Sequence, residues 1–196
     1  MARPKNQIRY RQIVSAAAAL MSRNGYKATS CQEIANKTGM QKSTFFHYFR
    51  NKKELLLAIL RASIDEVSSD LEKIVNNKKL EPEEKLKKAL DNHLTSMVEK
   101  YSDNVNVYLN ELRSLSRKDR ELYLEKRRRY EKAFEKIIIE MKRAEYFKGL
   151  NSKIVTFGLL GMLNWVPKWY KKDGPLTIER VSEIFHKMVV ERGISH

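Results

Sequence analysis

The residues best suited to chemistry lie in a short polar stretch, residues 41–47, where basic, hydroxyl and aromatic side chains are interleaved. At helical spacing Lys42, Ser43, Phe46 and His47 fall on one face, and the other aromatic residues fall on the opposite face. Basic and hydroxyl groups bind phosphates and the edges of bases, so this face is suited to nucleic-acid recognition. The alternative is the solvated polar face of an ordinary amphipathic helix.

No motif of covalent catalysis accompanies this stretch. The sequence has no phosphate-binding glycine loop, no HExxH and no GxSxG, and no cysteine is paired with a motif histidine. His93, His186 and His196 are isolated, which is typical of surface or packing residues. The lone Cys31 leaves no partner for a disulfide or a zinc quartet and is expected to be a small buried side chain. We therefore predict a protein that is not an enzyme and carries no metal or cofactor.

Charge is distributed unevenly along the 196 residues. The net charge is +15, and residues 1–60 hold 11 basic and 2 acidic residues, whereas residues 61–196 hold 28 and 22. A basic excess raises the local concentration of phosphates, so a polyanionic partner is expected. Charge alone does not choose between DNA, RNA and an anionic membrane.

The apolar segments are unlike a leader or a membrane span. The basic N-terminus is not followed by an apolar region, and the most apolar run, residues 154–166, is shorter than the roughly 20 residues that a span needs. A soluble cytoplasmic protein that does not bind a membrane is predicted.

Apolar residues recur at helical spacing almost throughout, and Gly and Pro fall mostly between these runs, so an all-α protein is predicted. The first helix is expected to stop at Asn24-Gly25, and the fourth is long enough to link two domains. The residues that the first helix should bury are Ile8, Ile13, Ala17, Leu20 and Met21. The predicted helices span about residues 7–23, 30–38, 41–49, 51–75, 82–101, 103–116, 119–147, 151–171 and 177–192.

Two of the short helices form a candidate helix-turn-helix. Ser30 and Glu33 have the spacing of a capping box, which satisfies amides at a helix start. The turn Thr38-Gly39-Met40 contains a glycine, which lets the backbone bend sharply between the two helices. This geometry delivers the second helix to the major groove of DNA.

The run GYKATSCQEIANKTGMQKSTFFHYFRNKKELL resembles the signature of the TetR family of regulators over about residues 8–60. The resemblance implies an N-terminal three-helix helix-turn-helix domain, residues 1–54, and a C-terminal helical bundle for ligand binding and dimerisation, residues 55–196. The matching positions are Gly25, Tyr26, Thr29, Glu33, Ile34, Ala35, Gly39, Lys42, Thr44, Phe45 to Phe49, Lys52, Glu54 and Leu55. The residues that it implies face DNA are Ser30, Gln32, Gln41, Lys42, Ser43, Thr44, Phe46, His47 and Lys52.

These residues have different expected roles. Lys42, Ser43 and Thr44 are candidates for base edges or nearby phosphates, whereas Lys52 and the amides at the fourth helix's start are expected to hold a phosphate. Four cations near the N-terminus are expected along the DNA backbone or in a minor groove: Arg3, Lys5, Arg9 and Arg11.

The chain departs from the family pattern at two positions. Gln41 stands where a small capping residue is usual, and Phe46 stands where the family often has a tyrosine whose hydroxyl reaches phosphate. Phosphate contacts are therefore expected to be fewer. Tyr48 is expected to belong to the core.

The C-terminal part predicts a homodimer. Residues 152–171 are apolar on nearly every side and contain the small residues Gly158 and Gly161, which is typical of a helix buried against a partner. With residues 177–192 this segment can form half of an intersubunit four-helix bundle. Pro167 is expected to kink the helix and to open space beside two tryptophans.

Scattered positions of this part are similar to TetR regulators of fatty-acid and sterol-side-chain catabolism, notably Asn110 to Arg113, Arg127 to Tyr130 and Gly161 to Trp165. The similarity implies a repressor that is released from a palindromic operator by an acyl-coenzyme A effector and controls lipid genes. An acyl chain gains about 0.8 kcal/mol per buried methylene, and phosphates favour Arg or Lys. The candidate ligand residues are Arg113, Arg127, Arg128, Asn164, Trp165 and Trp169.

Two alternatives stay open on the sequence. The effector could be a lipophilic drug-like or aromatic compound, as in efflux control, with the candidate side chains serving only in packing. An architectural DNA protein would also be basic and dimeric, but it would bind with little regard to sequence. A twofold regulator should instead prefer a palindrome.

Overall fold

The computed structural model describes residues 4–193, apart from the side chains of residues 4–6, 108–110, 192 and 193. Arg3 and His196 lie outside the described residues, as do the side chains of Lys5 and Asn110. The described chain is all-α, as predicted, and has no strand. Its helices are α1 (Pro4–Asn24), α2 (Cys31–Lys37), α3 (Lys42–Phe46), α4 (Lys52–Asn76), α5 (Pro82–Thr95), α6 (Ser102–Glu111), α7 (Arg117–Arg143), α8 (Ser152–Trp169) and α9 (Ile178–Gly193).

Several predicted helices end earlier in the structure, among them the seventh at Arg143 and the eighth at Trp169. The third ends at Phe46, because the amides of His47 and Tyr48 bond to carbonyls three residues back and close a tight turn. The fifth ends at Thr95 and passes into a single wide π turn, Ser96–Lys100. The sixth is followed by a 3-10 turn, Leu112–Ser114.

The chain folds into two compact units. The first contains the residues up to Ser63 together with Asp103–Glu125, and the second contains Ile64–Ser102 and the residues from Lys126 onward. Helix α6 therefore belongs to the same unit as the candidate helix-turn-helix, although it lies far from it in sequence. The predicted boundary between a DNA-binding domain, residues 1–54, and a ligand-binding domain, residues 55–196, rests on the sequence motif and stays a prediction.

The core of the first unit joins α1 to the helix-turn-helix. Ile13, Ala17 and Met21 of α1 are buried, but Ile8, which was expected beside them, is 60% exposed. At 100° per residue Ile8 points about 140° away from Ile13, so the prediction for Ile8 was wrong. The remaining buried side chains of this core are Ile34, Phe45, Phe49, Leu55 and Ile59.

The core of the second unit is built from α5, α7, α8 and α9. Its buried apolar side chains include Leu86, Leu90, Phe134, Ile137, Ile138, Met141, Leu163 and Val181. Lys85 is buried as well, and its ammonium donates to Glu140 Oε2 at 2.7 Å and to the Val75 carbonyl at 3.1 Å. A buried charge is costly unless it is paired, so this pair allows α5 to pack closely on α7. No helix within residues 4–193 is long and apolar enough to cross a membrane.

Candidate nucleic-acid interface

Helix α2 begins with the predicted capping box. Ser30 Oγ accepts from the Glu33 amide at 3.1 Å, and Glu33 Oε2 accepts from the Ser30 amide at 2.7 Å. The hydrogen bond from the Ser30 backbone lowers the pKa of Glu33, so the cap is held by an ionised carboxylate. Ser30 and Gln32 are both exposed at this helix start.

The turn between α2 and α3 depends on a left-handed glycine. Gly39 has φ +63°, and its amide donates to the Asn36 carbonyl at 3.0 Å. The Met40 amide then donates to the Ala35 carbonyl at 3.0 Å, and Thr38 Oγ1 donates to the Ile34 carbonyl at 2.9 Å. These bonds satisfy the last carbonyls of α2 and fix the direction in which α3 leaves.

Helix α3 has one buried face and one exposed face. The Phe45 ring lies 5.9 Å from the Phe49 ring, which lies 5.0 Å from the Tyr10 ring of α1, so this face anchors α3 to the core. Tyr48 and Thr44 are half-buried. Phe46 is 45% exposed although it is large and apolar. Its polar neighbours on the exposed face are Lys42, Ser43 and His47.

Gln41 precedes α3 without making a side-chain cap. This is one of the two positions that depart from the family pattern, and its side chain is exposed beside Lys42. The structure thus brings together Gln41, Lys42, Ser43, Phe46 and His47 as one short exposed surface, which we call the α3 surface. Contact of the α3 surface with DNA stays a prediction.

The half-buried Lys52 is bonded to a neighbouring loop in a way that the sequence did not indicate. Its ammonium donates to the carbonyls of Tyr26, Thr29 and Lys27 at 2.7, 2.8 and 3.2 Å. It also lies 4.5 Å from the centroid of the Tyr26 ring. An ammonium has three N–H donors, so all of them are used. The predicted phosphate contact of Lys52 would require it to exchange one of these carbonyls, and this contact stays a prediction.

The loop that contains Tyr26, Lys27 and Thr29 is also hydrogen-bonded to the end of α6. The Tyr26 amide donates to Glu111 Oε1 at 3.2 Å, and Ser114 Oγ donates to Glu111 Oε2 at 2.7 Å. The peptide groups of Tyr26 are therefore bonded to α6 on one side and to the start of α4 on the other. This loop, residues 25–29, is a junction of three helices within the first unit.

A basic groove lies between α1 and the end of α2. It has a volume of about 660 Å³, and its lining includes the small residues Ser15, Ala16 and Ala19. Its cations are Arg9, Arg11 and Lys37. Two of these were predicted to follow the DNA backbone, and Lys37 was not singled out because it stands at the end of α2.

Helix α8 exposes a continuous apolar stripe. Ile154, Phe157, Gly158, Gly161 and Trp165 recur at three- and four-residue spacing, and Ile154 and Trp165 are 68% and 64% exposed. Apolar side chains concentrated on one exposed helix face are typical of an interface. The two glycines carry no side chain, and a Cβ placed on either would meet no atom within 4 Å.

The six candidate ligand residues lie at exposed positions. Arg113 belongs to the first unit and the other five belong to the second. Arg127 pairs with Glu131 at 2.8 Å, one helical turn away on α7. The Trp169 ring meets the Tyr170 ring edge to face at 6.5 Å. Their role in ligand binding stays a prediction.

One histidine of the second unit, expected to be a surface or packing residue, lies in the interior. His93 on α5 is buried, and its Nδ1 lies 2.8 Å from the Tyr130 hydroxyl on α7. Burial lowers the pKa of His93 to about 4, and a hydrogen bond with the Asn164 side chain opposes this shift. The signal in the sequence is a histidine placed among the apolar positions Leu90 and Leu94 of α5.

The part of the chain that the structure describes contains no group of three His, Cys, Asp or Glu side chains that could hold a metal ion. Cys31 is half-buried at the first position of α2, rather than fully buried as expected.

Comparison with known families accounts for most of the chain. Residues 13–59 match the family described as bacterial regulatory proteins, tetR family, and residues 79–192 match the family described as tetracyclin repressor-like, C-terminal domain. The HTH-type transcriptional repressor KstR2 of Mycobacterium tuberculosis is 25% identical over 181 residues, covering 91% of this chain and 90% of that protein. The fatty acid metabolism regulator protein of Bacillus subtilis is 23% identical over 190 residues, covering 96% and 95%.

Two solved structures resemble the present one closely. The TetR family transcriptional regulator PfmR from Thermus thermophilus has a TM-score of 0.84 and 27% identity, covering 94% of this chain and 99% of that one. AibR, solved in complex with isovaleryl coenzyme A and operator DNA, has a TM-score of 0.81 and 28% identity, covering 92% and 97%.

Proposed function

This chain belongs to the TetR family of bacterial transcriptional regulators, and we propose that it is a dimeric repressor that binds a palindromic operator. The observation that supports this best is the α3 surface, where Lys42, Ser43 and His47 share the exposed face of the helix with Phe46. An exposed aromatic ring among hydrogen-bonding side chains suits a surface that contacts base edges and thymine methyls in a major groove.

The proposed effector is an acyl-coenzyme A thioester, and the genes under control serve fatty-acid or lipid metabolism. Similarity to a fatty acid regulator and to AibR, whose structure contains isovaleryl coenzyme A, supports this class. Arg127 and Arg128 of the second unit would bind the phosphates of coenzyme A, and the exposed Trp169 ring would stack on its adenine.

Release from DNA follows if the effector binds the two states of the dimer unequally. Helix α4 starts beside the helix-turn-helix and continues into the second unit, so a shift of its far half changes the position of its start. The two recognition helices of the dimer would then no longer match adjacent grooves. A coupling of about 1–3 kcal/mol weakens operator binding by about 5- to 150-fold.

Fluorescence anisotropy on DNA from the gene's own upstream region tests the DNA-binding proposal. We expect selective binding over scrambled DNA at fixed salt, and loss of that selectivity in Lys42→Ala. Lys148→Ala is the matched control, since Lys148 is an exposed lysine of the loop between α7 and α8 and should leave binding unchanged. Equal binding to operator and scrambled DNA would favour the architectural alternative.

Titration of the protein–DNA complex tests the effector. Acyl-coenzyme A of several lengths should release the DNA, whereas the corresponding free fatty acids should not. Release by lipophilic drug-like or aromatic compounds instead of the thioesters would establish the alternative effector class and keep the repressor.

A further inference from the structure

The basic groove between α1 and the end of α2 carries positive charge that its own lining does not balance. Among the described residues, this lining contains Arg9, Arg11 and Lys37 and neither Asp nor Glu. Arg9 donates to Gln12 Oε1 at 3.1 Å. The exposed side chains of Arg11 and Lys37 form no hydrogen bond or ion pair with another described residue. Several exposed cations elsewhere pair with an acid one helical turn away, so the groove differs from them in needing an external anion.

The shape and donors of the groove suit the backbone of a nucleic acid. The small side chains of Ser15, Ala16 and Ala19 leave room for another chain beside α1. The Ser15 hydroxyl is exposed, and the Gln12 amide, whose oxygen accepts from an arginine, keeps its NH₂ group as a donor. Arg, Lys, Ser and Gln side chains bind the phosphates and sugars of DNA, and these contacts carry no sequence information.

The basic groove adjoins the α3 surface through the turn of the helix-turn-helix. Helix α2 ends at Lys37 in the groove, and the turn of residues 38–41 leads directly to Lys42, the first residue of α3. The Tyr10 ring, from the same turn of α1 as both groove arginines, lies 5.0 Å from the Phe49 ring that anchors α3. The major groove of DNA is about 12 Å wide and is bordered by two phosphate strands. A strand that borders the bases at the α3 surface therefore continues past the basic groove.

We propose that the basic groove binds the phosphate backbone that flanks the bases contacted by the α3 surface, and that Lys37 and Arg11 hold this backbone. The inference rests on the proposed function and adds a binding site outside the recognition helix. Phosphates are the same at every base pair, so the groove contributes affinity without sequence preference. The two grooves of a dimer extend the contacted DNA beyond each half-site. A flat lipid surface does not enter a concave groove, which favours DNA over an anionic membrane.

The test uses operator duplexes in which uncharged methylphosphonates replace the phosphates that flank each half-site. Fluorescence anisotropy at fixed salt compares the full-length wild type with Lys37→Ala/Arg11→Ala. The wild type should bind the modified operator about tenfold more weakly, because neutral linkages hold no counterions for the cations to release. The double variant should bind both operators within about twofold of each other. Its slope of log affinity against log salt should fall by about one for each contact removed.

Two further variants make the result specific. Arg23→Ala/Lys118→Ala is the matched control, since it removes one exposed arginine and one exposed lysine of the same unit that do not line the groove. This control should keep the full sensitivity to flanking methylphosphonates. Ser15→Trp fills the groove with a ring and removes no charge. It should weaken binding of the unmodified operator about tenfold and leave binding of the modified operator unchanged, which an effect of net charge alone would not produce.

The outcomes separate this inference from the proposed function. If the wild type selects its operator but binds the modified duplex equally well, or if Lys37→Ala/Arg11→Ala keeps the full tenfold loss, the groove does not hold the backbone and the repressor stands. Absence of selective DNA binding by the wild type would overturn both. Binding to phosphatidylglycerol vesicles, but not to phosphatidylcholine vesicles, that the double variant loses while its operator binding stays normal would assign the groove to a membrane instead. If the double variant does not fold, the Ser15→Trp comparison decides.

Discussion

Replacing Lys52 by methionine separates two roles for this residue, an internal clamp and a phosphate contact. The substitution keeps the aliphatic stem and removes the three bonds to the carbonyls of Tyr26, Lys27 and Thr29. The bonds to Tyr26 and Thr29 are partly buried and are worth about 1 kcal/mol each after solvent screening, and the cation–π contact adds about 0.5 kcal/mol. We expect a loss of about 2–3 kcal/mol in the free energy of unfolding by urea.

The control is Lys53→Met, which removes an exposed lysine from the same turn of α4. Lys52→Arg should recover only part of the stability, because a planar guanidinium does not aim its donors at three separate carbonyls. The salt dependence of operator binding completes the assay. If Lys52→Met is as stable as Lys53→Met while the slope of log affinity against log salt falls by about one, Lys52 contacts a phosphate and the clamp is refuted.

Three further predictions concern the folded state. Gly39→Ala should lower the free energy of unfolding by urea by about 1 kcal/mol. An added Cβ would meet no atom within 4 Å, so the cost comes from the left-handed φ alone. An unchanged urea midpoint would contradict that conformation. Phe134→Ala should cost about 3–5 kcal/mol because the ring is fully buried, whereas Phe46→Ala should change stability by about 0.5 kcal/mol or less and weaken operator binding; equal stability losses would contradict the assigned faces. Between pH 6.5 and about 4, His93 takes up a proton in the unfolded chain but not in the folded one. The free energy of unfolding of the wild type should therefore fall by about 3 kcal/mol relative to that of His93→Phe as the pH is lowered across this range. Parallel pH profiles of the two proteins would refute this.

The helix-turn-helix could be predicted from sequence because its determinants are local. The capping box depends on Ser30 and Glu33, three residues apart, and the turn depends on Gly39. The alternation of buried Phe45 and exposed Phe46 follows from helical periodicity once the opposite face is known to pack. Ile8 was assigned to the core because it is apolar, although helical periodicity directs it about 140° away from Ile13 and it is exposed.

The contacts that sequence could not supply join distant segments. Lys52 binds carbonyls that lie 23 to 26 residues earlier, and backbone carbonyls carry no signal in the sequence. His93 and Tyr130 are 37 residues apart, and nothing in either segment specifies that α5 places one ring nitrogen against α7. The pairing of α6 with the first unit has the same origin, since Glu111 meets Tyr26 across 85 residues.

The exposed stripe of α8 affects how much of the chain is folded at a given concentration. A chain that pairs through Ile154, Phe157 and Trp165 buries these side chains only when a second copy is present. Because only folded chains dimerise, mass action makes the melting temperature rise with the total protein concentration. At low concentration more chains are unpaired and less stable, so a larger fraction is open to degradation. Abundance of this regulator should therefore respond more than proportionally to its rate of synthesis.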